Sequence, residues 1–170
     1  ADRTISSYTF SKSYAMTGLR LGYTASNDEL VQERFRKLLR LSTNGIPSIM
    51  QYGGIAALNA PQDSTRAMMQ ELLTRRDIFF QGLQSLKVFD AFKPQGAFYV
   101  WAKISDSWKG YNGATDSWAM TNFLIDQAGI GTSPGIAFGA SGERYVRFAF
   151  TVSRETLIES IEVMQDLFSQ

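Results

Sequence analysis

The chain has 170 residues, 44% of them hydrophobic, which is enough to bury a real core, and its size fits one domain or pieces of two. Its 17 basic and 16 acidic residues leave a net charge of +1 and are spread along the chain, so no nucleic-acid footprint is present. With neither cysteine nor histidine, disulfide frameworks and the usual zinc ligand sets are excluded.

The chain opens on Ala1, and its first residues form neither a charged segment leading into an apolar stretch nor a run long enough to cross a bilayer. A soluble, cytoplasmic protein without a membrane partner is the expectation. Residues 5–10 carry β-branched and aromatic side chains and predict a strand that delivers Lys12 at its carboxyl end. Residues 19–25 predict the next strand, joined through Gly18. The capping signature Ser26-Asn27-Asp28-Glu29 precedes Leu30, Val31, Phe35, Leu38 and Leu39 at helical spacing, which predicts an amphipathic packing helix over 28–41.

Residues 42–48 read as a loop by their turn chemistry, leading into a helix over 49–58. Met68, Met69, Leu72, Leu73, Phe79, Phe80, Leu83 and Leu86 then follow a period near 3.6, so a long helix over 64–86 is predicted, with the methionines filling core space. An aromatic strand pair over 92–104 is broken at Pro94-Gln95-Gly96, and 108–116 is a polar loop. A helix starts at Asp116, bears Trp118, Met120, Phe123 and Leu124, and stops at Gly129; another spans 153–168.

Two constellations carry chemistry. In Thr9-Phe10-Ser11-Lys12-Ser13-Tyr14-Ala15-Met16-Thr17-Gly18-Leu19-Arg20-Leu21-Gly22 a lysine and an arginine stand at a fixed separation across a glycine-containing turn. That spacing suits an aldehyde cofactor bearing a phosphate: the Lys12 amine can form a Schiff base, the Arg20 guanidinium can fork onto phosphate oxygens, and the Thr9 and Ser11 hydroxyls can add neutral hydrogen bonds. The second constellation is the strand 145–150, where Val146, Phe148 and Phe150 share one face and Tyr145, Arg147 and Ala149 the other. Arg147 therefore projects away from the apolar face, where a guanidinium on a rigid strand can grip a carboxylate. Arg144, in the preceding turn, reads as a surface charge.

The first run resembles the pyridoxal-phosphate lysine signature of the class I/II aminotransferases, fold type I, of the aspartate-aminotransferase kind. Pro134-Gly135-Ile136-Ala137-Phe138-Gly139 followed by Arg147 resembles that family's carboxy-terminal motif, whose strand arginine binds the substrate α-carboxylate. The resemblance implies an α/β fold in which 1–60 is the end of a large cofactor domain with its mixed sheet, 61–86 an interdomain helix and 87–170 an α+β small domain. Because the family's lysine lies well past the middle of the polypeptide, it also implies a carboxy-terminal portion, inactive in isolation, of a protein that is a homodimer at full length.

By the same resemblance the cofactor is pyridoxal 5'-phosphate, held by Thr9, Ser11, Lys12 and Arg20, with no metal. Lys12 is the tether and acid/base, Arg147 holds the substrate carboxylate, and the reaction moves an amino group from an α-amino acid to a 2-oxo acid. Thr43 and Asn44 lie where the family's loop reaches a neighbouring subunit's cofactor phosphate, or else they form an ordinary amino-terminal cap of the following helix. Gly96-Ala97-Phe98-Tyr99 resembles the family's first small-domain strand near the substrate, though Phe98 and Tyr99 equally suit a core. A lyase or synthase on the same scaffold, or an aminotransferase-like ligand-sensing domain, would use the same residues.

Overall fold

The computed structural model describes residues 4–169; Ala1, Asp2, Arg3 and Gln170 lie outside the described residues. The chain forms two compact units, 1–67 and 68–170.

In the first unit, β1 (Ser6–Thr9) pairs antiparallel with β2 (Gly22–Ala25), Thr9 lying opposite Gly22. The predicted strand over 5–10 thus ends earlier, because Thr9 turns into an N-cap: its Oγ1 accepts the Ser11 N–H at 3.1 Å and starts the single-turn helix α1 (Phe10–Ser13). The strand predicted over 19–25 is also shorter. Thr17–Leu19 form a 3-10 turn and Arg20 takes a left-handed backbone with φ 51°, which keeps these residues out of any ladder.

Helix α2 (Glu29–Thr43) starts where predicted, with the Asp28 carboxylate accepting the Val31 N–H at 3.1 Å, and α3 (Ser48–Asn59) follows Pro47. Thr43 and Asn44 close α2 and do not open α3. The Thr43 hydroxyl donates to the Leu39 carbonyl, and Asn44 is the left-handed C-cap, φ 55°. No residue of α2 is buried: Val31 and Phe35 are half-buried, while Leu30, Leu38, Leu39 and Leu41 are exposed within this chain.

Helix α4 (Asp63–Ser85) runs across the division between the units. The second unit is an antiparallel sheet in the order β3 (Phe89–Ala91), β4 (Tyr99–Ile104), β6 (Tyr145–Ala149), β5 (Ser133–Pro134), with α5 (Ser117–Ala128) and α6 (Arg154–Phe168) completing it. The predicted first strand at 92 is displaced: the pairing partner of β4 is Phe89–Ala91, while Phe92 is exposed. Val100, Ala102 and Ile104 of β4 and Val146 and Phe148 of β6 enter one core with Phe79 and Leu83 of α4, Met120 and Leu124 of α5, and Leu157, Ile161 and Met164 of α6.

Caps fix the helix ends in register with that core. The Asp116 carboxylate accepts the Ala119 N–H at 2.8 Å, Gly129 closes α5 at φ 66°, and the Ser153 hydroxyl accepts the Thr156 N–H at 3.1 Å. Gly82 of α4 packs flat on Ile161 of α6, where an added Cβ would come within 2.5 Å of Cγ1 and 2.8 Å of Cγ2. No described helix is long and apolar enough to cross a membrane.

Candidate functional site

Each unit holds one of the two constellations. In the first, β1 ends on Thr9 and α1 carries Ser11 and Lys12, so the three side chains leave the backbone within one turn of a strand end. The far end of the motif is tied back by hydrogen bonds. The Arg20 guanidinium donates to the Thr17 carbonyl at 3.1 Å, and the Thr17 hydroxyl donates to the Ser11 carbonyl at 3.0 Å. The backbone closes the loop again where Phe10 N–H donates to the Leu21 carbonyl at 3.1 Å. Thr17, given no role by sequence reasoning, is therefore the link between the Ser11 and Arg20 ends; the signal for it was a hydroxyl residue midway along the run.

These residues suit the phosphate end of pyridoxal phosphate in donor chemistry. Thr9 Oγ1 accepts a hydrogen bond, which leaves its O–H proton available to donate; Arg20 gives one bond to a carbonyl and pairs with no carboxylate among the described residues. Lys12 is exposed on α1.

In the second unit, β6 holds Arg147 on the sheet face opposite the core, as the alternation of the strand predicts. Its neighbours in register are Trp101 on β4 and Ser133 on β5. The guanidinium carbon lies 4.2 Å from the centroid of the Tyr99 ring and 4.3 Å from that of Phe138, and one terminal nitrogen donates to Ser133 Oγ at 3.2 Å. No carboxylate pairs with Arg147 among the described residues, although the group is half-buried. Phe98 and Tyr99 separate cleanly: Phe98 packs against the core and Tyr99 serves Arg147. Ser133 and Trp101 were missed because only strand register sets them opposite Arg147, and Phe138 because a 3-10 turn after β5 carries its ring there.

The start of β6 is anchored by a buried network. Glu143 accepts hydrogen bonds from Ser117 Oγ at 2.6 Å, Ser117 N at 2.7 Å and Arg144 N at 2.8 Å, and these donors, the Ser117 side chain foremost, hold its carboxyl below the usual range. Arg144 is no loose surface charge. Its guanidinium donates to the Thr115 and Ser105 carbonyls at 2.8 and 3.0 Å and pairs with Asp106 at 3.3 Å, with the side chain 27% exposed. Beside it Gly135 and Gly142 touch backbone to backbone: a Cβ on Gly135 would sit 2.7 Å from the Tyr145 carbonyl oxygen, and one on Gly142 would sit 2.7 Å from the Gly135 carbonyl carbon.

The pattern described as "Aminotransferase class I and II" matches residues 1–164. This chain belongs to that family. The aminotransferase chain is 34% identical to a probable aspartate aminotransferase of Methanocaldococcus jannaschii, across 98% of this chain and 43% of that protein. It is 37% identical to LL-diaminopimelate aminotransferase 2 of Trichormus variabilis, across 97% of this chain and 40% of that one. Among solved structures, an aromatic aminotransferase from Pyrococcus horikoshii superposes with a TM-score of 0.90 at 30% identity, over 99% of this chain and 43% of the other. The aminotransferase chain thus spans about two fifths of the length of these relatives. The family is pyridoxal-phosphate dependent and its substrates are amino and 2-oxo acids.

Proposed function

We propose that the protein carrying this chain is a pyridoxal-phosphate-dependent aminotransferase that moves an amino group from an α-amino acid to a 2-oxo acid, acting as a cytoplasmic homodimer. The observation that carries the reading is Arg147: a half-buried guanidinium, covered by two aromatic rings, with a hydroxyl at one edge and no anion of its own among the described residues. A half-buried cation with no anion beside it is only partly compensated, and a substrate carboxylate is the counter-charge that would complete it.

Pyridoxal phosphate bound here would supply an electron sink for the carbanion left when the substrate α-carbon loses its proton. The Lys12 amine would be the covalent attachment point for the cofactor and the base that takes and returns the α-proton. Arg20 would neutralise phosphate charge, and the Thr9 and Ser11 hydroxyls would donate to phosphate oxygens. Arg147 fixes the substrate through its carboxylate and so orients the bond to the α-hydrogen.

Borohydride reduction of the protein after incubation with pyridoxal phosphate tests the assignment. The phosphopyridoxyl mass is expected on Lys12 and is lost in Lys12→Ala; an adduct confined to another lysine would sink the reading.

A further inference from the structure

We propose that Tyr99 and Phe138 make the Arg147 site selective for planar carboxylates against tetrahedral anions of the same charge. The proposal rests on the assignment of a carboxylate to Arg147. Tyr99 comes from β4 and Phe138 from the turn after β5, the two strands that flank β6, and their ring centroids lie 4.2 and 4.3 Å from the guanidinium carbon. With two rings packed on the guanidinium carbon and one terminal nitrogen held by Ser133, its remaining N–H edge is the part left for a ligand.

A carboxylate fits such an edge because both its oxygens lie in the guanidinium plane and take parallel hydrogen bonds. A sulfonate or phosphonate carries a third oxygen that leaves the plane. Here it meets the electron-rich face of an aromatic ring, where an anionic oxygen is repelled and stripped of water. Phe138 is 52% exposed and would not hold such a wall unaided. Trp101 braces it, edge-on with centroids 5.6 Å apart, and is itself stacked on Tyr145 at 5.5 Å. The wall is therefore built from β4 and β6 outward.

The test uses the 15N-labelled 170-residue chain, with acetate and methanesulfonate as charge-matched probes, reading arginine side-chain Nε–Hε shifts. Arg34, exposed on α2, reports the intrinsic preference of a guanidinium in the same sample. The acetate-to-methanesulfonate affinity ratio is expected to be about fivefold or more higher at Arg147 than at Arg34. Phe138→Leu, at an exposed position, should lower the ratio, Tyr99→Leu should lower it further, and Tyr99→Phe, which keeps the ring, should preserve it. Equal ratios at Arg147 and Arg34, or a ratio unmoved by Phe138→Leu, overturn the proposal while leaving carboxylate binding intact. Absence of any saturable acetate shift at Arg147 overturns the carboxylate assignment and the selectivity with it.

Discussion

Arg147 shows how one side chain inherits its task from its surroundings. The strand turns it from the core, two aromatic rings pack against its guanidinium, and Ser133 satisfies a single donor. In the enzyme that carries this chain, Arg147→Leu removes a charge-assisted, two-pronged contact and should cost about 2–5 kcal/mol, or about thirtyfold to several-thousandfold in kcat/KM for α-amino acids. Arg147→Lys should rescue only part, since it restores charge without the planar fork. Steady-state kinetics with amines that lack a carboxylate provide the check: they should lose far less, and equal losses would make Arg147 a structural cation. The direction of Arg147 was legible because alternation along a strand is a local property. The work of Arg144 was not, because its carbonyl partners at Ser105 and Thr115 stand far away in the sequence and only the fold gathers them.

At the scale of elements, the boundaries written in side chains were readable and those written in the backbone were not. Asp28, Asp116, Ser153 and Gly129 announce helix ends by chemistry that acts within one turn. Helix α1 is a single turn, too short for any periodicity, and the strand expected from Leu19 begins only at Gly22, because Leu19 ends a 3-10 turn and Arg20 is left-handed. Strand β3 was misplaced because Phe92 looks like a core residue, whereas Val88 and Phe89 fill that role.

The contact between α4 and α6 depends on having no side chain at Gly82. Gly82→Ala would drive a methyl into Ile161 and should destabilise the protein by about 1–3 kcal/mol, read as a lower urea midpoint; unchanged stability would mean that the two helices part freely. The same helices are joined by Glu71, which accepts from Arg154 and, at 2.7 Å, from Arg75. These hydrogen bonds, Arg154 foremost, lower the Glu71 carboxyl to about 2. A carboxylate depressed in the folded state contributes stability that is present in full above its unfolded value and disappears as pH falls toward the folded one. Glu71→Gln should therefore flatten the loss of stability with acid between about pH 4.5 and 2, measured by denaturation at fixed pH steps; an unaltered slope would show that the pair is screened away.

Over the whole molecule the two units differ in how well they cover their own apolar surface. The second has a sealed core of residues from all its helices and most of its strands. In the first, Phe10 and Leu21 are the only large apolar side chains fully buried among the described residues, while Leu41 is 75% and Ile49 74% exposed. With α2 and α3 presenting Leu38, Leu41, Ile49 and Tyr52 to water, the isolated chain should self-associate. Sedimentation velocity over a concentration series tests this, and a single monomeric species throughout would count against it. Leu38→Glu with Ile49→Glu should shift the distribution toward monomer. The sequence foretold the helices correctly but not their exposure, because a hydrophobic period says which face wants cover and not whether this stretch of chain supplies it.

The backbone contact between Gly135 and Gly142 has a consequence for the history of such a sequence. Most surface turns drift freely, since a new side chain simply points into water. At these two positions even the smallest side chain strikes peptide atoms, so drift is closed there although the surrounding loop is shallow. Because the pinch lies on either side of Phe138 and just ahead of Arg147, a lineage can reshape the loop tip between the glycines without moving the base on which the arginine stands.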